Sequence, residues 1–126
     1  MKQLASILFV LGVLLAPSLV MAQTPRNLDG FVVEANRIPL NATAALRPSA
    51  HRLKGEAERA FRAVGSEIRS ARAGGRTPPA CPPQRMNLNP QQMLGFLNGI
   101  PQERRRRMTV TDGIRVWMAD RYPCPA

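Results

Sequence analysis

The chain has 126 residues, with 18 lysines and arginines against 8 acidic residues, one histidine, two cysteines and a net charge of +10. With residues 1–22 set aside, 25 large apolar side chains remain to build a core, besides 13 alanines and the two cysteines. That suffices for one small domain and excludes both a second domain and a large cofactor-binding architecture.

Residues 1–22 read as a secretory signal peptide. Lys2 gives a positive start, 4–15 is an almost unbroken apolar run, and Pro17 breaks it. Val20, Met21 and Ala22 then offer tolerated residues for cleavage before Gln23. The rival reading is an uncleaved anchor, since 4–22 is barely long enough to span a bilayer. No cysteine follows the run, so a lipoprotein anchor is not expected. The expectation is a single domain, 23–126, exported to the periplasm. Outside the cytosol an isolated cysteine pair usually joins, so Cys81 and Cys124 are predicted to form one disulfide. Closing that loop stabilises the fold by about 4 kcal/mol on the chain-entropy account.

Apolar residues at Leu28, Phe31, Val32, Ala35 and Ile38 have helical spacing, despite the strand propensity of Phe31-Val32-Val33. A short helix ended by Pro39 is predicted, then a connector closed by Pro48. Ser49 is the expected N-cap of a second helix of about 24 residues. Its stripe is Leu53, Ala57, Ala60, Phe61, Val64, Ile68 and Ala71, with Arg62 and Arg69 among the arginines away from it. Glu58 stands four before Arg62, the favourable order for a helical ion pair. Gly74-Gly75 stops this helix, and 74–83 forms a proline-rich crossover. Asn89-Pro90-Gln91-Gln92 reads as a cap and first turn, followed by Met93, Phe96, Leu97 and Ile100 at helical spacing. After four arginines, Thr109 to Asp112 repeats a capping-box signature. Val110, Ile114, Trp117 and Met118 form the face of the last helix, with Trp117 expected at the centre of the core. The predicted fold is all-α: a small bundle of about four helices braced by one disulfide.

The segment 81–124 has a pattern of its own. Cys81 and Pro83 precede a capped helix through Gln92 and Leu97; Pro101, Glu103, Arg104 and Arg105 follow, and Tyr122-Pro123-Cys124 closes it. This resembles the Tai-type immunity proteins of bacterial type VI secretion. The resemblance covers about 44 of the 104 residues after the leader, while the upstream half departs from the pattern. It implies a small, helical, disulfide-bonded periplasmic protein, often a homodimer, that neutralises a cell-wall-degrading effector enzyme by binding it.

Catalysis is not expected. A triad or zinc site needs histidines, and His51 stands alone. The acidic residues are scattered, no glycine-rich phosphate loop is present, and no metal or other cofactor is expected. The residues with a claim to function are Arg104, Arg105, Arg106 and Arg107, expected on a turn or loop between the last two helices, where guanidinium groups can grip carboxylates or phosphates. Arg62 and Arg69 are predicted to reinforce them. The bland reading is a solvated charge run. Export and the lack of an aromatic platform argue against nucleic acid. Two functions are expected to compete: a non-catalytic module for a periplasmic protein with an acidic surface, or a basic envelope protein binding anionic lipid or cell-wall polymer.

Overall fold

The computed structural model describes residues 26–39, 41 and 43–126; the leader expected at 1–22 lies outside the described residues. Five α-helices follow one another: α1 (Leu28–Asn36), α2 (Pro48–Ala73), α3 (Pro90–Gly99), α4 (Gln102–Arg107) and α5 (Val110–Arg121). A short 3-10 turn, Ala44–Leu46, precedes α2. No strand is present among the described residues, and the all-α bundle with its disulfide is as the sequence predicts. The extra helix is α4, where a turn or loop was expected. Pro101 opens it, arginine is a good helix former, and Glu103 places a negative charge in the first turn.

Local signals account for most of the helix ends. The Asn27 side chain accepts from the Gly30 N–H, and the Asn89 side chain accepts from the N–H groups of Gln91 and Gln92. Thr109 and Asp112 form the reciprocal capping box, with bonds of 3.0 and 2.9 Å. At the end of α2, Gly75 takes a φ of 67°, which glycine adopts without strain. The Arg76 N–H then reaches back to the Ala71 carbonyl, and that of Gly75 to Arg72. The start of α2 corrects the sequence reading. Pro48 is its first residue, Arg47 is the extended residue before it, and Ser49 lies inside the helix. Glu58 also differs, pairing with Lys54 at 3.7 Å rather than with Arg62.

The long α2 packs chiefly along α5. Ala60 and Ala71 on its buried stripe let the axes approach, and Val64 and Ile68 meet the face of α5 that carries Ile114, Trp117 and Met118. Trp117 is 5% exposed and holds the edges of Phe61 and Tyr122, with centroids 5.8 and 6.2 Å away. The start of α1 is bound to the start of α5. Asn27 and Thr109 form an isolated antiparallel bridge, and the Leu28 N–H donates to the Met108 carbonyl at 2.8 Å. Leu28 then fills the notch left by Gly113, so α1 closes directly onto α5.

Residues 76–88 form no regular element. Within this crossover Ala80 is fully buried, and the Cys81 N–H donates to the Tyr122 carbonyl at 2.9 Å. The Cys81–Cys124 disulfide lies beside that bond and fastens the crossover to the end of α5.

Candidate functional site

The four consecutive arginines do not act alike. One residue is about 100° of helical rotation, so a run of four on one helix must point around most of the circle. Arg105 points inward. Its Nε donates to Asp29 Oδ1 at 3.1 Å, and its Nη1 donates to the carbonyl oxygens of Asn98 and Ile100, each at 3.1 Å. Its side chain is 12% exposed, and that of Asp29 is 14%. One guanidinium therefore satisfies free carbonyls at the end of α3 and the carboxylate in the first turn of α1. Gln102 also reaches Asp29, at 3.5 Å. Nearby, Asn36 and Asn98 exchange two side-chain bonds of 2.9 and 3.0 Å.

Arg104, Arg106 and Arg107 are exposed and fan over the opposite side of α4. None of the three makes an ion pair among the described residues. Arg62 and Arg69 are also exposed and unpaired among the described residues, on the back of α2. Helix α4 rests on α1, while α2 packs chiefly on α5. Of the six arginines singled out in the sequence, Arg62 and Arg69 thus lie exposed on α2, Arg104, Arg106 and Arg107 lie exposed on α4, and Arg105 faces inward.

Several of the remaining charges hold helices together. Arg26 bonds Glu34 of α1 and Glu56 of α2, and Arg52 reaches Glu34 at 3.2 Å. Arg115 of α5 grips both oxygens of Glu67 on α2, at 2.8 and 2.6 Å, and also Asp112 at 2.7 Å. The bond from Arg26 holds the Glu34 carboxyl below its ordinary range, and Arg115 does the same to Glu67. Asp112 is lowered first by the Thr109 backbone N–H. Arg115 is raised in turn by Glu67 and Asp112. Among the described residues, no three His, Cys, Asp or Glu side chains gather to hold a metal.

One feature escaped the sequence reading: an apolar groove of about 400 Å³ between α1, α2 and α3. Phe31, Leu53 and Leu97 form its floor, Phe61 and Met93 its walls, and Leu88 its lip. All but Leu88 sit at positions that helical periodicity assigns to a core. The available signal was Leu88 just before α3 together with the widened Met93-Leu94-Leu97 stripe, more apolar surface than one helix contact covers.

The described residues form a small, disulfide-braced helical protein with exposed arginines on α2 and α4 and an apolar groove between α1, α2 and α3. No family model, curated protein or solved structure matches the chain. No helix of the described residues is long and apolar enough to cross a membrane.

Proposed function

We propose that this is an exported, periplasmic, non-catalytic binding protein that captures one acidic protein partner through α4. An effector enzyme is the partner that the Tai-type resemblance implies. The observation that carries this reading is the division of labour within the arginine run. Arg105 anchors α4 to α1 and α3, so Arg104, Arg106 and Arg107 are displayed from a fixed turn. A guanidinium held on a rigid element loses less freedom on binding than one on a loop, which favours a specific interface. The leader and the disulfide support export. The described carboxylates with shifted acidities are all lowered by arginine or cap contacts, the opposite of what a general acid requires.

The test is capture from a periplasmic extract by the oxidised protein, with washes at low and high salt, followed by reconstitution of the purified pair. The triple replacement of Arg104, Arg106 and Arg107 by Gln should mainly slow association. Recovery of lipid or wall material alone, eluting steeply with salt, sinks this reading. It would favour the basic envelope protein instead, to which the exposed Arg62 and Arg69 of α2 add further cationic groups.

A further inference from the structure

The apolar groove has a charged mouth. Among the described residues that line it, the only charged side chains are Lys54 and Glu58, which pair with each other at one end. Beyond that end it opens into a wider depression of about 1200 Å³, with which it shares Ile38, Ala50, Lys54, Leu88, Asn89 and Pro90. Among the described residues, the lining of the depression contains Lys54, His51 and Arg121 and no carboxylate side chain. A greasy slot therefore leads to a mouth of basic groups, and its volume falls within the range of roughly 300–1,000 Å³ typical of small-molecule sites.

We propose that the groove binds a single-chain fatty carboxylate, taken up as a monomer, with its hydrocarbon tail against Phe31, Leu53 and Leu97. Its head group lies at the mouth beside Lys54 and Arg121. The tail supplies the affinity, because apolar burial is additive along the chain and the charged pair of the slot, Lys54 and Glu58, stands at one end of it. The mouth supplies the choice of head: an anion there takes Lys54 from its exposed pairing with Glu58 and faces Arg121 across the wider depression, whereas a cation finds only Glu58, already held by Lys54. This activity goes beyond partner capture through α4 and uses none of its arginines.

The experiment is calorimetric titration of the disulfide-intact protein with octanoate, decanoate and dodecanoate below their micelle concentrations. Decyltrimethylammonium serves as the cationic counterpart. The expected result is one saturable site that tightens about fourfold per added methylene, which corresponds to about 0.8 kcal/mol. The cationic amphiphile should bind at least about tenfold more weakly, and Lys54→Gln should weaken only the carboxylates. Ala57→Phe, which fills the slot from α2, should abolish binding while thermal unfolding stays cooperative; Ala50→Phe at the rim replaces it should that variant not fold. Equal affinity for both head groups, or undiminished binding by the filled variant, overturns the proposal. Binding to anionic vesicles but not to monomers overturns it in favour of a bilayer surface. A dimer that Ala57→Phe dissociates overturns it in favour of a second copy of this chain.

Discussion

Replacing Gly113 by alanine would place a Cβ 2.7 and 2.8 Å from the two terminal methyls of Leu28, and 3.3 Å from its Cγ. Carbon atoms pack comfortably at about 3.5–4.0 Å, so Leu28 would have to retreat by roughly 1 Å. It has little room to do so: its side chain is fully buried and its own N–H is bonded to the Met108 carbonyl. Overpacking of this kind costs about 1–3 kcal/mol, and the helix propensity of alanine returns up to about 1 kcal/mol. The net expectation is a loss of about 1–2 kcal/mol. Gly95 is the control, because a Cβ there meets nothing within 4 Å. Gly95→Ala should stabilise by about 0.5–1 kcal/mol. For a domain of this size each kcal/mol moves the Tm by about 4–8 °C, so the two variants should melt on opposite sides of the parent. Thermal unfolding followed by circular dichroism, with the disulfide intact, decides it. A Gly113→Ala protein at least as stable as the parent would refute the close approach of α1 and α5.

Replacing both Cys81 and Cys124 by alanine should cost about 4 kcal/mol, read as a lower urea midpoint; an unchanged midpoint would mean the bond constrains nothing. Arg105→Gln should cost about 2–3 kcal/mol, because it strands the Asp29 carboxylate and the carbonyls of Asn98 and Ile100. Arg106→Gln should change stability by no more than about 0.5 kcal/mol, and equal losses from the two would contradict the inward placement of Arg105. Glu34, Glu67 and Asp112 are all lowered in the folded protein, so the unfolded chain takes up their protons first as pH falls. Their contribution is present above the unfolded values of about 4, and it is lost as pH drops through the lower folded values. Urea midpoints that stay flat from neutral pH down to about pH 3 would rule this out.

The helix ends were legible because their causes lie within a few residues. Asn89, the Thr109–Asp112 box and Gly75 each act on backbone groups one turn away or less. Pro48 and Ser49 competed for the same helix start, and the fixed backbone of proline at the first position decided it. The division among the four arginines was not legible, since Arg105 is chosen by Asp29, 76 residues away in sequence. The groove stayed hidden for a related reason. Periodicity shows which side of a helix is apolar, but the position of Leu88 and α3 over α1 and α2 decides whether a neighbour covers it.

The bridge between Asn27 and Thr109 has a consequence for the order in which the molecule assembles. Helix α1 has only nine residues, below the roughly 12–15 at which an isolated helix begins to hold in water. The anchors of its first turn are Met108, Gly113 and Arg105, all in the second half of the chain, while Glu34 near its far end is held by Arg26 and Arg52. The first turn of the earliest described helix thus gains its packing only once the last helix is in place. Bringing the two together closes a loop of about eighty residues, an entropic cost that grows only slowly with length.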